Sequence, residues 1–330
     1  MSAPAVSRED LDQRLEEHRL ELRAYCYRML ASPFEAEDAV QETLIRAWKS
    51  FDSFEGRASL RSWLYRIATN VCLDMLRSSE RRARPMDLGP AGEPVFENLH
   101  ELPETTWLEP VPDALVVADG DPAEVAVARD SLRLALVAAL QHLPPKQRAA
   151  LILCEVLQWK AAEVAELLDT TVASINSALQ RARATLDTLH LATGHPAPSR
   201  QAELGDAERE LLARYVRAFE AYDIDALTQL IHEDATQSMP PFELWLAGRD
   251  DIFTWWLGPG IGCQGSKLLP APLANGLPAF GQYKPSPNGG REPWALMVVE
   301  PRGDRIGELT FFLGTKTLFP LFGLPPRLDD

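Results

Sequence analysis

The sequence predicts a multidomain protein in which two all-α domains precede a C-terminal α+β domain. Three observations support this prediction. The chain has 330 residues, more than most single domains contain. Stretches rich in helix-breaking residues interrupt it at residues 85–124 and 192–206. Apolar residues recur at helical spacing before and between these stretches, whereas strand-like runs occur only after them.

Composition narrows the class of protein. Hydrophobic residues make up 46% of the chain, enough for folded cores rather than global disorder. No run of 18 apolar residues occurs, which argues against a membrane span, and the N-terminal MSAPAVSREDLDQRL lacks the pattern of a secretory signal. The four cysteines are far apart, without a CxxC pair or a Cys/His cluster. We therefore expect a cytoplasmic protein with reduced thiols, no metal site and no cofactor.

Charge is distributed unevenly along the chain, whose formal net charge is −15. Residues 55–84 hold seven basic side chains against three acidic ones, whereas residues 86–130 hold eleven acidic side chains against Arg129 alone. The acidic stretch is also rich in proline. It predicts an extended linker at 85–124, between a helical domain at 8–84 and a second one at 125–191.

A different pattern follows the second linker at 192–206. A helix is predicted from about Ala207 to Tyr222, ahead of strand-like runs at 294–300 and 305–313. The turn sequence Pro301-Arg302-Gly303-Asp304 joins these two runs. Residues 207–330 are therefore predicted to form an α+β domain.

Residues 161–186 predict two short helices with a tight break, the arrangement with which many proteins enter the DNA major groove. A threonine of Asp169-Thr170-Thr171 can cap the second helix. The predicted inward stripe of that helix consists of Val172, Ile175, Leu179, Ala182 and Leu186. The outward side chains are small or polar and suit contact with bases and phosphates: Thr171, Ala173, Ser174, Asn176, Ser177, Gln180, Arg181 and Arg183. A solvated face of an ordinary helical bundle explains this spacing equally well.

The sequence from Leu140 to Leu186 resembles region 4 of the extracytoplasmic-function sigma factors. It contains their Leu-Pro-x-x-Gln-Arg signature, here Leu143, Pro144, Gln147 and Arg148. The resemblance implies that the helix-turn-helix recognises the −35 promoter element. Family members often carry Lys or Arg where this chain has Asn176 and Ala178, which implies weaker phosphate anchoring here.

Residues 35–84 resemble region 2 of the same family over nearly their whole length, and two motif blocks in the correct order identify the chain as a member. The resemblance implies binding to core RNA polymerase, through the coiled coil of its largest subunit and through its flap. The region 2 residues implied in this contact are Glu37, Asp38, Gln41 and Glu42. The alternative is a solvated acidic helix face.

Region 2 of the family also opens the −10 DNA. Unstacking costs a few kcal/mol per step, and capturing or stacking the freed bases recovers roughly 1–3 kcal/mol per base. The loop from Phe51 to Ser59 matches the base-capturing loop of the family. The residues implied in −10 recognition and melting are Asp52, Ser53, Phe54, Arg57, Arg61, Trp63, Arg66, Asn70 and Arg77. Trp63 could equally be a core residue, and residues 77–84 are expected to extend a basic stripe toward phosphate.

The scarcity of basic residues has a consequence for DNA binding. Phosphate neutralisation is the main term in affinity for DNA, so we expect the isolated chain to bind promoter DNA poorly. Core polymerase would supply most of the positive surface. The resemblance also suggests that the acidic linker threads a basic channel of that core.

Residues 208–330 resemble the SnoaL-like, NTF2-like α+β cone, which a subset of these sigma factors carries. The linker motif Trp107-Leu108-Glu109-Pro110-x-Pro112-Asp113 also resembles that subset. Relatives outside the family use the cone for isomerase or cyclase chemistry, and the acid–base candidates here are His232, Asp234 and Tyr283. The strand end Phe312-Leu313-Gly314 has no carboxylate where catalytic relatives often place one. We therefore favour intramolecular regulation over sensing of a small-molecule ligand, and both over catalysis.

The apolar tail at 318–328 has two possible roles, docking on the sigma portion or closing the mouth of the cone. Two other functions also compete with a sigma factor. A ligand-sensing helix-turn-helix regulator would bind its operator alone, usually as a symmetric dimer, and the basic surface for this is missing. An enzyme with a helical targeting module needs a catalytic set, and the sequence shows no convincing one.

Overall fold

The computed structural model describes residues 8–51, 54, 59–77, 81–118, 120–193 and 205–329. The chain divides into two compact units. The N-terminal unit takes residues 1–82 and 108–200, and the C-terminal unit takes residues 83–107 and 201–330. The stretch predicted as a linker at 85–124 is thus shared between the two units. Among the described residues, no helix has the length and apolar character needed to cross a bilayer.

The first half of the N-terminal unit is a helical bundle, as predicted. Its helices are α1 (Arg8–Glu16), α2 (Arg19–Leu30), α3 (Pro33–Ser50) and α4 (Leu60–Met75). Ser32 caps α3 by accepting from the N–H of Glu35 at 3.3 Å, and Ser59 caps α4 by accepting from the N–H of Ser62 at 3.1 Å. Polar side chains therefore set where α3 and α4 begin.

The second half of the unit carries the predicted helix-turn-helix. Its helices are α5 (Pro122–Asp130), α6 (Leu134–Gln141), α7 (Pro145–Leu151), α8 (Ala161–Leu167) and α9 (Val172–Thr193). A π turn, Ile152–Val156, follows α7 directly. The hydroxyl of Thr171 accepts from the N–H of Ser174 at 3.2 Å, which confirms the predicted threonine cap at the start of α9.

The C-terminal unit has the predicted α+β architecture. Its helices are α10 (Asp206–Ala221), α11 (Ile224–Leu230), α12 (Arg249–Leu257) and α13 (Thr315–Leu321). Its strands are β1 (Ile231–Ser238), β2 (Trp245–Ala247), β3 (Lys267–Ala274), β4 (Leu277–Pro285), β5 (Arg291–Arg302) and β6 (Arg305–Phe312). They form one mixed sheet in the order β2-β1-β6-β5-β4-β3, in which only β1 and β6 pair in parallel.

The β5–β6 hairpin is tighter than the sequence predicts. Pro301 pairs with Ile306 and Arg302 with Arg305, so the turn narrows to Gly303-Asp304. Gly303 has a φ of +64°, a conformation that glycine adopts without the penalty of a side chain. The proline therefore belongs to the strand, next to an irregularity in the register.

The apolar tail packs on the sheet of its own unit. Phe319 of α13 meets the ring of Tyr283 edge-on, with centroids 5.2 Å apart. The hydroxyl of Tyr283 donates to the carbonyl of Pro325 at 2.8 Å, and Leu328 exchanges backbone hydrogen bonds with Arg291. These contacts place residues 318–328 against β4 and β5.

Composition predicts an extended linker before α5, but residues 83–107 are folded as part of the C-terminal unit. They form short 3-10 turns, and three backbone hydrogen bonds tie them to the loop and strand after β1: Gly92 N–H to Trp245 O, Leu102 N–H to Pro241 O, and Glu243 N–H to His100 O. Proline removes donors without preventing such contacts, because the remaining N–H and C=O groups still pair.

Candidate polymerase- and promoter-binding surfaces

One face of α3 presents the residues predicted to bind polymerase. Asp38 and Gln41 are exposed, and Glu42 is half-buried with its carboxylate accepting from Arg46 Nε at 2.6 Å. The opposite face of α3 is buried, from Ala36 to Ala47. The packing of that face on the bundle holds the outward side chains on a rigid element.

Glu37 has a different environment from its neighbours on α3. Its carboxylate accepts from Arg19 Nη1 and from Arg23 Nε, each at 2.7 Å, and the side chain is 31% exposed. Both arginines belong to α2. Glu37 therefore ties α3 to α2, and we assign it to positioning the helix.

Two large apolar side chains continue the outward face of α3, and sequence reasoning missed both. Ile45 is 47% exposed and Trp48 is 44% exposed. With Asp38 and Gln41 they follow the i, i+3, i+7, i+10 spacing of one helical stripe. Both positions lie outside the buried stripe of α3, which is the sequence signal that could have identified them as exposed. An apolar residue in a helical pattern is, however, ordinarily assigned to the core.

The structure describes only part of the loop that we predict to capture bases. Asp52, Ser53 and Arg57 lie outside the described residues. Phe54 packs on Trp63 with centroids 4.9 Å apart, and Phe51 lies 6.0 Å from Phe54 and 6.4 Å from Trp63. All three rings are half-buried. Trp63 therefore belongs to a partly exposed aromatic cluster, which is compatible with both roles considered for it.

The remaining −10 candidates lie along α4. Arg66, Asn70 and Arg77 are exposed, and Arg77 pairs with Asp74 at 3.1 Å. Arg61 donates from Nε to Glu21 at 2.8 Å. Its guanidinium also lies 5.2 Å from the Tyr65 ring centroid and 5.3 Å from that of Trp159.

The helix-turn-helix region packs against α4. Arg66 Nη2 donates to the backbone carbonyl of Glu166, in α8, at 2.7 Å. The ring of Tyr65 lies 5.1 Å from that of Trp159, which precedes α8. In this arrangement the helix assigned to −10 DNA is in contact with the domain assigned to the −35 element.

Two buried arginines hold the halves of the N-terminal unit together. Arg28 of α2 donates to the backbone carbonyl and the hydroxyl of Ser131, and Arg148 of α7 donates to the backbone carbonyl of Met29. Each is 3% exposed, and burial lowers the pKa of each guanidinium to about 10. Their hydrogen-bond acceptors in the described chain are carbonyls, a hydroxyl and the amide of Gln141, with no carboxylate. The signature arginine, Arg148, therefore has an internal structural role.

The basic stripe expected over residues 77–84 does not continue to its end. Arg82 is 8% exposed and pairs with Glu35 at 2.8 Å. Arg84 is 16% exposed and pairs with Asp87 at 3.1 Å. Arg82 and Arg84, which were expected to contact phosphate, are thus largely buried and paired with carboxylates. Arg81, by contrast, is exposed and lies beside His142.

The outward face of the recognition helix α9 is accessible as predicted. Exposed side chains include all eight candidates: Thr171, Ala173, Ser174, Asn176, Ser177, Gln180, Arg181 and Arg183. Arg183 also pairs with Glu155. Ile175, Leu179 and Ala182 are buried, and Leu186 is half-buried. The placement of Val172 on the inward stripe is wrong, since its side chain is 43% exposed.

The three acid–base candidates of the C-terminal unit are not brought together. His232 and Asp234 lie on β1, where His232 Nδ1 accepts from the N–H of Asp234 at 3.1 Å. Tyr283 lies on β4, and β6 and β5 separate the two strands. Burial raises the pKa of Tyr283 to about 12, and its hydroxyl is used by Pro325. The set lacks the mutual geometry that acid–base catalysis requires.

A charged cluster that the sequence did not predict lies where residues 84–87 meet the sheet. Glu300 of β5 and Glu308 of β6 are directly opposite each other. Burial, and then the charge of Glu300, raises the pKa of Glu308, while Arg84 acts in the opposite direction. The guanidinium of Arg84, in the segment that follows α4, thus acts on a pair of carboxylates in the sheet of the C-terminal unit.

Comparison with protein families matches both helical regions. The Sigma-70 region 2 model matches residues 15–82, and the Sigma-70, region 4 model matches residues 133–186. The ECF RNA polymerase sigma factor SigG of Mycobacterium tuberculosis (strain H37Rv) is 45% identical over 327 residues, which cover 97% of this chain and 85% of that protein.

A second sigma factor is similar in both sequence and structure. SigJ of the same organism is 32% identical over 220 residues, covering 66% of this chain and 61% of that protein. The crystal structure of M. tuberculosis SigJ superposes with a TM-score of 0.58 at 24% identity, covering 91% of this chain and 95% of that chain. The similarity of fold thus extends beyond the two helical regions to the C-terminal unit.

Proposed function

Since the chain belongs to the ECF RNA polymerase sigma factors, we propose that it binds core RNA polymerase, recognises the −35 and −10 promoter elements and starts transcription under the control of its own C-terminal cone. The observation that carries the proposal is the exposed polar face of α9, held by the buried residues Ile175, Leu179 and Ala182. Such a factor works in the cytoplasm, where polymerase and promoter DNA are found.

The outward face of α3 supports polymerase binding. Interfaces commonly combine a few large apolar or aromatic anchors with a polar rim. Ile45 and Trp48 supply the anchors, and Asp38 and Gln41 supply polar groups along the same stripe. Acidic groups on this face also complement a basic partner, which favours encounter with it.

The aromatic cluster around Trp63 supports −10 melting. Rings that are exposed on one side give unpaired bases a stacking platform worth roughly 1–3 kcal/mol per base. Phe54 and Phe51 pack against the indole of Trp63. Arg66 and Asn70 lie farther along α4, where they can contact the backbone or bases of the same strand.

The N-terminal unit must open to act at a promoter. The −35 and −10 elements lie about 25 base pairs apart, roughly 85 Å at 3.4 Å per base pair. A compact body of about 170 residues has a radius of gyration of only ~16 Å. Because one such body cannot touch both elements, the contacts of Arg66 with Glu166 and of Tyr65 with Trp159 have to break.

The buried arginines bear on the energy of this opening. Hydrogen bonds to carbonyls compensate a buried cation only partly, and a charge without a counterion is costly to keep out of water. Solvation of Arg28 and Arg148 on opening therefore offsets part of the hydrogen bonding that opening removes. The closed unit is stable enough to form and is poised to separate when polymerase binds both halves.

The position of residues 83–107 supports control by the cone. These residues connect α4 to α5, and hydrogen bonds to Trp245 O and Pro241 O hold them on the C-terminal unit. Opening changes the course of the chain between α4 and α5. A domain that holds residues 83–107 can therefore restrain or assist opening. A small-molecule ligand of the cone remains a further prediction.

Run-off transcription with purified core polymerase tests the proposal. The full chain should direct initiation from specific genomic promoters, and a version ending near Leu191 should change the amount of product. If neither version directs initiation, the protein is not a sigma subunit, and tight duplex binding by the chain alone would then support the ligand-sensing regulator. An unchanged amount of run-off product after truncation would show that the C-terminal unit does not regulate initiation.

A further inference from the structure

An apolar side chain is exposed at the start of the recognition helix. Val172 is the first residue of α9 and is 43% exposed, whereas Ile175, one turn later, is 2% exposed. Side chains of a helix lean toward its N-terminus, so Val172 projects past the end of the helix instead of joining the buried stripe. Thr171 caps the helix just before it, which fixes the backbone at this point.

This end of a recognition helix is the part that reaches base edges in helix-turn-helix complexes. Val172 and Asn176 are four residues apart, which places them about 40° apart around the helix and about 6 Å apart along it. Both are exposed. They therefore form one edge of α9 on which an apolar group and an amide can meet neighbouring base pairs.

The major groove offers an apolar group for such a side chain. Adenine presents a donor and an acceptor that match an Asn amide, and thymine presents its C5-methyl. We propose that Val172 contacts the C5-methyl of a thymine in the −35 element and so contributes to sequence choice. This inference rests on the proposed function and adds to it a residue outside the predicted polar set.

A solitary exposed valine is common on protein surfaces. The effect of substituting Val172 is therefore compared with the effect of substituting another exposed valine of the same unit. Val127 provides this comparison, because it lies on α5 of the same unit and is 67% exposed. It has no place on the recognition helix. The same substitution at both positions separates a groove contact from the general effect of removing a surface valine.

The experiment is run-off transcription by the holoenzyme, made from core polymerase and the full chain, on a promoter that it uses. Each thymine of the −35 element is replaced in turn by uracil, which removes the methyl and keeps the base pair. With the unmodified chain, one replacement should lower open-complex formation about fourfold. V172A should abolish the response at that position, V172T should keep part of it, and V127A should keep it whole.

Two outcomes would overturn the inference while leaving the sigma function intact: initiation that responds to no uracil replacement, or a V172A holoenzyme as sensitive as the unmodified one. A −35 element without thymine would do the same. Failure of the unmodified chain to direct any initiation would remove the proposed function and this inference together. An unchanged melting temperature of V172A, expected for an exposed residue, shows that the variant is folded.

Discussion

Arg66 of α4 donates a hydrogen bond to the backbone carbonyl of Glu166 in α8 at 2.7 Å. Arg66 is a residue that we predict to contact −10 DNA, and Glu166 belongs to the first helix of the helix-turn-helix that we predict to read the −35 element. This contact joins the two parts of the N-terminal unit for which we propose DNA binding.

Trp159 is the first place to test the closed arrangement. Its ring contacts Tyr65 and Arg61, and its Nε1 is buried without a hydrogen-bond partner. Trp159→Leu should therefore lose ring packing without losing a hydrogen bond, weakening closure by ~1–3 kcal/mol. Hydrogen exchange of the α4 amides should become faster. Trp48→Leu, at an exposed site on α3, should leave that exchange unchanged; equal rates in both variants would contradict the contact.

Arg148 offers a test of the buried hydrogen-bond network. Its guanidinium serves several acceptors at once, including the carbonyls of Met29 and Gln141, and an ammonium group cannot reach all of them. Arg148→Lys should lower the free energy of unfolding of the N-terminal unit by about 2–3 kcal/mol. Urea denaturation measures this. Arg183→Lys, in an exposed ion pair, should change it by less than ~1 kcal/mol.

Glu37 and Asp38 are neighbours on α3 with different expected roles. Glu37→Gln should lower the stability of the N-terminal unit by about 1–2 kcal/mol, because two arginines of α2 donate to this partly exposed carboxylate. Asp38→Asn should leave stability within about 0.5 kcal/mol and reduce affinity for core polymerase. Thermal unfolding and a polymerase-binding titration separate the two effects. The reverse pattern would show that Glu37 is the contact residue.

Trp48 should be the strongest single determinant of polymerase binding on α3. A large, exposed aromatic side chain in line with Ile45 and Gln41 has the features of an interface anchor, and such residues cost 2 kcal/mol or more when truncated. Trp48→Ala should therefore weaken binding to core polymerase at least thirtyfold. Phe96→Ala is a matched control, since Phe96 is 61% exposed in the C-terminal unit. Comparable losses in both variants would indicate a nonspecific effect.

Glu308 makes the stability of the C-terminal unit depend on pH. Its pKa is raised by burial and by Glu300, while Arg84 and the Thr310 hydroxyl oppose the shift and Asp87 adds to it. A carboxyl with a raised pKa in the folded state stabilises that state fully below its ordinary value of 4.5, and this contribution is lost as the pH rises through the raised value.

Glu308→Gln should therefore raise the melting temperature of the C-terminal unit at pH 7, and the gain should shrink as the pH falls toward 4.5. Gln keeps an oxygen that can accept from Thr310. Glu292→Gln, at an exposed position of β5, is the control for the general effect of removing a carboxylate from this sheet. A gain that is independent of pH would assign the effect to packing.

Local patterns predicted much of this protein, and non-local contacts account for the remainder. The helical and α+β segments followed from periodicity, and the Thr171 cap from turn chemistry. Arg82 pairs with Glu35, which lies 47 residues away in the sequence. Because the local sequence does not reveal this partner, Arg82 was expected to contact DNA phosphate. Val172 was misplaced because a helical wheel treats the first turn like the middle of a helix.

The linker shows the same limit at a larger scale. Its prolines and acidic residues predict an extended chain, since composition reports what a segment can do by itself. The acceptors that fold residues 83–107 are carbonyls of Pro241 and Trp245, about 140 residues away. No property of the linker sequence identifies those partners.

The distance between α4 and α9 tests the central claim most directly. Probes at Asn70→Cys and Ala184→Cys, both exposed sites, can report it by energy transfer once Cys154 and Cys263 are replaced by serine. The distance should be short in the free chain and should increase by tens of ångströms when core polymerase and promoter DNA are added. An unchanged distance in a complex that initiates transcription would contradict an opening of the N-terminal unit.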